Sequence, residues 1–189
     1  MQRAAGMPKA GRPSRLTSFN YVGAHEYFVT CCVYDRKRIF VDRDAVDCVR
    51  REFLWTCEER LFFSRVSVFM PDHVHFLVRS EMTDGAFLPF MKTMRQRTAV
   101  AYRRLRGERL WQSGYHERVL RPSDDWGEIA RYIQDNPVRS GLVGDWKAYP
   151  FCFWEHSESP SAAQTPVARS AQTPVARNFS CASESVKPN

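Results

Sequence analysis

Apolar and polar positions along the chain fall into two rhythms, one of two residues and one of three to four. Tyr27 to Val33 (YFVTCCV) is β-branched and aromatic, which predicts a strand. From Asp42 the rhythm changes. Val46, Val49, Phe53 and Cys57 recur at three- and four-residue steps, which predicts a helix with that core face and Asp42 or Asp44 as its cap. Arg65 to Met70 predicts a second strand. Pro71-Asp72 turns the chain. The apolar run from His73 to Val78, ending at Arg79, then predicts a third strand as the hairpin partner of the second.

The strongest helical periodicity covers residues 84–106. At about 100° per residue, Phe87, Met91, Met94, Thr98, Ala101 and Leu105 share one stripe and predict its core face. Lys92, Arg95, Arg103 and Arg106 share another, read either as a solvated face or as a contact to a DNA backbone. Gly107 ends the helix. A loop from Trp111 to Gly114 leads to a short predicted strand, Glu117 to Leu120. Pro122-Ser123-Asp124-Asp125 caps a last helix, which runs through Trp126, Ile129 and Ile133 to Asn136-Pro137. Strand, helix, strand, strand, helix, strand is the split βαβ order. It predicts an α+β, ferredoxin-like fold: a four-stranded antiparallel sheet with helices on one face and an added C-terminal helix.

Outside 17–156 the pattern lapses. Residues 1–16 carry Arg3, Lys9, Arg12 and Arg15 among Gly and Pro and read as a flexible basic arm, with Met7 a second candidate start. Residues 157–189 are rich in Ser, Ala, Thr, Pro and Gln and contain AQTPVAR twice, at 163–169 and 171–177. Two copies of so short a period cannot bury a core, so a disordered tail is expected.

Charge narrows the partner. The net charge is +7, carried by 23 Arg and only 5 Lys. Guanidinium forks suit phosphate contacts and stacking on bases, which favours nucleic acid over a membrane or a metabolite. The six cysteines form no Cys-x-x-Cys pair and read as small buried residues in a reducing compartment. No hydrophobic signal region or membrane-length run is present, so a cytoplasmic protein is expected.

Candidate chemistry lies in Met70-Pro71-Asp72-His73-Val74-His75. Residues two apart on a strand point the same way, so His73 and His75 project side by side. Two imidazoles on a rigid strand are half of a metal site; a His-x-His pair also arises by chance. In the last helix Tyr132 and Asn136 are four apart and would stand on one face. If that face meets the histidine strand, two imidazoles and a carboxamide could hold Mg²⁺ or Mn²⁺ beside a tyrosine nucleophile. Alone, Tyr132 reads as a packed aromatic.

These blocks resemble a known family. Met70–His75, Leu110-Trp111-Gln112-Ser113-Gly114-Tyr115-His116-Glu117-Arg118-Val119-Leu120-Arg121, and Arg131-Tyr132-Ile133 with Asn136-Pro137-Val138-Arg139-Ser140-Gly141-Leu142-Val143 together resemble the HUH single-tyrosine transposases, and among them the REP-associated tyrosine transposases of bacteria. The resemblance covers roughly residues 14–154. It implies that His73, His75 and Asn136 are metal ligands and that Tyr132 is the nucleophile. It implies cleavage and rejoining of single-stranded, palindrome-derived hairpin DNA through a 5′-phosphotyrosine, by a monomer or a homodimer. Arg36, Lys92, Arg95, Arg103, Arg106, Arg118 and Arg139 are the candidate DNA contacts. Two other readings fit the same residues: a relaxase or rolling-circle initiator, and an inert split-βαβ nucleic-acid-binding module.

Overall fold

The protein is described from a computed structural model, over residues 18–154. The expected arm at 1–16 and tail at 157–189 lie outside these residues. Strand β1 is Glu26–Cys32, helix α1 Arg43–Arg60, β2 Phe62–Met70, β3 His73–Ser80 and helix α2 Phe87–Arg106. Then come β4 (His116–Val119), α3 (Trp126–Gln134), the single turn α4 (Asn136–Arg139) and β5 (Cys152–Trp154). The strands form one sheet in the order β4-β1-β3-β2-β5, and every pairing is antiparallel.

The α+β class predicted from the pattern is observed, with one strand more than the four expected. β5 is three residues long, too short to show a period of two. It adds to the β2 edge because its approach is tied down: Tyr149 Oη donates to the Phe69 carbonyl at 2.7 Å, and Phe69 N donates to the Phe151 carbonyl at 2.9 Å. Burial pushes the Tyr149 phenol up to about 12, so it stays a donor.

Alternation along the strands gives the sheet two apolar faces. Tyr27, Val29, Cys31, Val74, Phe76 and Val78 face α1 and α2 and form the main core with Val46, Val49, Phe53, Phe87, Phe90, Met91 and Met94. Val66, Val68, Met70 and Leu77 face the other way and pack against Ala130 and Ile133 of α3. The tyrosine-bearing helix is therefore alone of the three long helices on its face.

The core stripe of α2 needs one correction. Phe87, Met91, Met94 and Thr98 are buried as expected, but Leu105 is 41% exposed and Tyr102, at 3%, takes its place. The buried line steps in fours from Met94 through Thr98 to Tyr102, and Leu105, although in phase with Phe87 at 3.6 residues per turn, lies in the last turn of α2. Thr98 is satisfied inside it: its hydroxyl donates to the Met94 carbonyl at 2.8 Å and accepts from Trp111 Nε1 at 2.8 Å.

Helix α1 starts as expected, with the Asp42 side chain accepting from Asp44 N, and ends on Leu61 in the left-handed region. Gly107, at φ 74°, ends α2 in the same conformation without the steric cost of a Cβ. Among the described residues no helix is long and apolar enough to cross a membrane.

Candidate active site

The β2–β3 hairpin sets the site. Met70 pairs with His73 across the two-residue Pro71-Asp72 turn, so His73 opens β3 and His75 follows on the same face, the α3 side. Their rings meet edge to face, and Nε2 of His73 lies 3.1 Å from Nε2 of His75.

The other ring nitrogens are held. His73 Nδ1 is 2.6 Å from Asp72 Oδ1. A carboxylate only accepts, so Nδ1 carries the proton and Nε2 of the neutral ring presents a lone pair. His75 Nδ1 is 2.8 Å from the hydroxyl of Thr30, its cross-strand neighbour on β1. Thr30 can donate or accept, so this chain has two self-consistent proton arrangements. In one, Thr30 donates to Nδ1, and Nε2–H of His75 donates to His73. In the other, Nδ1–H of His75 donates to Thr30, and both Nε2 lone pairs face the same point. The second arrangement is that of two ligands to one cation.

Distance supports that reading. Two nitrogens at right angles, each about 2.1 Å from one ion, are about 3.0 Å apart, and the observed separation is 3.1 Å. Protonation supports it too. Burial pulls His75 down to about 3, helped by the charges of Arg36 and Arg139, and burial also lowers His73 although Asp72 opposes it. Both rings are neutral at neutral pH, as ligands must be.

Asp72 is itself fixed. Arg36 Nε pairs with its second oxygen at 2.8 Å, and Arg36 Nη1 lies 2.8 Å from Cys32 Sγ. Two consecutive left-handed residues, Asp35 (φ 57°) and Arg36 (φ 53°), lie in the turn that carries this guanidinium. Such backbone costs roughly 1–2 kcal/mol per residue, and here it coincides with a charge placed behind the histidines.

Tyr132 lies on the same side, 44% exposed. The Phe28 ring stands between it and the histidines, 5.5 Å from His75 and 6.2 Å from Tyr132. Arg139 places its guanidinium 4.3 Å over the Tyr132 ring. Asn136 stands just past the end of the tyrosine helix. Helix α3 ends at Gln134, and Asn136 opens α4, so the two residues do not share one continuous helix. Its Nδ2 donates to the carbonyls of Tyr132 (3.0 Å) and Ile133 (3.2 Å). These bonds satisfy carbonyls that the helix end would orphan and leave Asn136 Oδ1 as an acceptor. Among the described residues no group of three His, Cys, Asp or Glu side chains could hold a metal.

The expected DNA contacts divide. Arg95 is not part of an open stripe: it donates to the carbonyls of Gln112 (2.6 Å) and Gly114 and lies over the Tyr115 ring. Arg106 pairs with Asp42 and Asp44. These are structural ties: Arg95 anchors the loop between α2 and β4, and Arg106 joins the end of α2 to the start of α1. Lys92 and Arg103 are exposed. Arg118 pairs with Asp124 at 3.1 Å and remains 58% exposed. Arg36 and Arg139 belong to the site itself.

Thr30, Phe28 and Asp72 were missed as site residues. Asp72 was legible, being next to a histidine in a turn. Thr30 and Phe28 depend on the β1–β3 register, which no local pattern carries.

Comparisons with known proteins bear on this arrangement. No family model matches the chain. A Haemophilus influenzae protein provisionally named a REP-associated tyrosine transposase is 26% identical over 136 residues, covering 66% of this chain and 77% of that one. A solved REP-associated tyrosine transposase, bound to a REP hairpin, superposes with a TM-score of 0.63 over 74% of this chain and 82% of its own, at 21% identity. The chain resembles the REP-associated tyrosine transposases in sequence and in fold. A Deinococcus radiodurans protein described as a transposase overlays less well, at a TM-score of 0.46 and 21% identity over 68% of this chain and 97% of its own. The REP-associated transposases thus supply the frame in which the His73/His75 pair and Tyr132 are read.

Proposed function

We propose that the chain is a single-tyrosine DNA strand transferase that binds single-stranded hairpin DNA and cleaves and rejoins it through a 5′-phosphotyrosine. The observation that carries this reading is the pair of neutral imidazoles with facing Nε2 atoms, one phenylalanine ring away from an exposed tyrosine. The resemblance to the REP-associated transposases supports it, and so does the +7 charge.

In this reading His73, His75 and Asn136 Oδ1 hold a divalent cation of the Mg²⁺ or Mn²⁺ kind. When bound, such an ion draws charge from the non-bridging oxygens of the scissile phosphate. Asp72 and Thr30 keep both imidazoles in register. Arg139 adds a fixed positive charge beside the reacting oxygen and the phosphate. The Tyr132 oxygen attacks phosphorus, the bond from phosphorus to the 3′ oxygen breaks, and the phenol proton passes through solvent to the departing 3′-hydroxyl. One P–O bond is exchanged for another, so a second 3′-hydroxyl can reverse the step without ATP. The open face around Tyr132 admits a single strand or an extruded end, whereas a duplex would hold its phosphate away.

The test is adduct formation. Incubation with a labelled single-stranded hairpin oligonucleotide and Mg²⁺ or Mn²⁺ should give a denaturant-resistant protein–DNA band. That band should vanish with chelator and with Tyr132→Phe. A band unaffected by either would overturn the reading.

A further inference from the structure

Tyr132 can attack phosphorus only if its phenol proton has somewhere to go. The histidine pair is not the acceptor. The Phe28 ring stands between it and Tyr132, and in the reading above its Nε2 lone pairs are committed to a cation. Tyr132 also lines a cleft of about 510 Å³ between β4 and α3, where four other side chains could accept a proton: Thr30, His116, Glu117 and Glu128. Thr30 is tied to His75 at 2.8 Å. Glu117 pairs in register with the core residue Val29, and its carboxylate accepts from Tyr21 Oη at 3.1 Å. His116 stands across the cleft on β4, opposite Thr30. Glu128 stands on α3 itself, four residues before Tyr132.

That spacing is informative because α3 is continuous from Trp126 to Gln134. Residues four apart in one helix share a face, with Cβ atoms about 5–6 Å apart. Helical side chains lean toward the N-terminus, which carries Tyr132 towards Glu128 rather than away from it. Glu128 is also uncommitted. It stands three positions after the N-cap Asp125, where a glutamate ordinarily completes a capping box by turning back to the N-cap amide. Among the described residues that return bond is not made, and Glu128 has no ion pair; its exposed side chain lines the cleft instead. Tyr132 thus has the Arg139 guanidinium over its ring and a carboxylate one turn back on its own helix.

We infer that Glu128 is a catalytic residue, the general base that takes the proton from Tyr132 Oη as it attacks, an assignment that rests on the strand-transfer reading above. The proton moves from Tyr132 Oη to a Glu128 carboxylate oxygen while the bond from Oη to phosphorus forms. The 3′ oxygen leaves with the electron pair of its bond to phosphorus and takes a proton from solvent, to which Glu128 returns the one it holds. In the rejoining step the same exchange runs backwards, and protonated Glu128 restores the phenol. Such contacts tighten only when substrate is bound, so the nucleophile and its base need not touch beforehand.

The experiment is single-turnover adduct formation on a labelled single-stranded hairpin oligonucleotide with Mn²⁺, by the wild type, Glu128→Gln and His116→Gln. Glu128→Gln changes one exposed side chain without changing its shape, so unfolding, hairpin affinity and Mn²⁺ binding should match the wild type. Its rate should fall about 100-fold or more, as for loss of a positioned general base. The three proteins are then made with trifluorotyrosine in place of Tyr132, a phenol that ionises far more readily and needs less help. There the loss on Glu128→Gln should shrink to less than about tenfold. A Glu128→Gln rate within about threefold of the wild type, or a loss that fluorination leaves untouched, overturns the assignment. A fluorination-sensitive loss in His116→Gln alone gives the proton to His116 and overturns it as well. No adduct from the wild type removes the strand-transfer reading and this role with it, whereas a wild-type adduct with an unimpaired Glu128→Gln removes only this role.

Discussion

His73 Nε2 faces His75 Nε2 at 3.1 Å, while Nδ1 of each ring is engaged by Asp72 or Thr30. Two neutral rings so held either share one proton or share one cation. His73→Ala or His75→Ala should therefore lower adduct formation more than about 100-fold, exceeding the usual loss from an outer-shell partner. Hairpin affinity should fall little, since it rests on Arg and Lys contacts. Mn²⁺ binding followed by electron paramagnetic resonance should weaken in parallel. Unchanged Mn²⁺ binding in the double Ala variant would remove these residues as ligands.

Asp72 and Thr30 make a finer distinction. Asp72→Asn can no longer demand a proton on His73 Nδ1, so a fraction of rings should turn Nε2 into a donor. Metal affinity should fall about 10- to 100-fold, as for other orienting partners. Thr30→Val removes the hydroxyl that serves both proton arrangements of His75 and should also weaken metal binding, whereas Thr30→Ser should restore it. Titration calorimetry with Mn²⁺ checks all three. Equal affinity for the Val and Ser variants would mean that Thr30 orients nothing.

What the sequence made legible followed from local rhythm. The core face of α1, the β2–β3 hairpin and the side-by-side histidines all come from spacing within a few residues, and they were readable. Thr30 behind His75 and Phe28 before Tyr132 come from a pairing between residues 45 apart for Thr30 and His75, which spacing cannot give. The relation of Tyr132 to Asn136 was legible only in part. Pro137 has no N–H to bond the Ile133 carbonyl, so α3 ends at Gln134 and Asn136 opens α4, its side-chain amide donating to the Tyr132 and Ile133 carbonyls instead. The basic stripe of α2 divides for a third reason. Residue type shows a charge but not its partner: Arg95 bonds the loop carbonyls of Gln112 and Gly114, and Arg106 pairs with Asp42 and Asp44 at the start of α1.

That division of α2 can be measured. Arg95→Ala breaks two charge-assisted bonds to the carbonyls of Gln112 and Gly114 and should cost about 2 kcal/mol of stability in a denaturant titration. Lys92→Ala with Arg103→Ala should leave stability nearly unchanged. If those two side chains touch DNA phosphates, the slope of log affinity against log salt should drop by about one per contact. An unaltered slope would clear the exposed part of the stripe of any role in binding.

Two tyrosines lie in the blocks that resemble the transposases, and the structure separates them. Tyr115 is half-buried against the core, edge-on to Phe87 at 6.4 Å and under the Arg95 guanidinium at 5.5 Å. Its ring fills the junction between α2 and β4. Tyr132 is exposed on the opposite face, with Phe28 linking it to His75 and Arg139 lying over it. Tyr132→Phe removes one oxygen from an exposed ring, so unfolding and hairpin affinity should be nearly unchanged while the covalent adduct disappears. Tyr115→Phe should keep the adduct. Proteolysis of the trapped adduct followed by mass spectrometry locates the nucleotide directly. A nucleotide mass on the peptide that contains Tyr115, rather than on the one that contains Tyr132, would reverse the assignment and move the reacting centre away from His73 and His75.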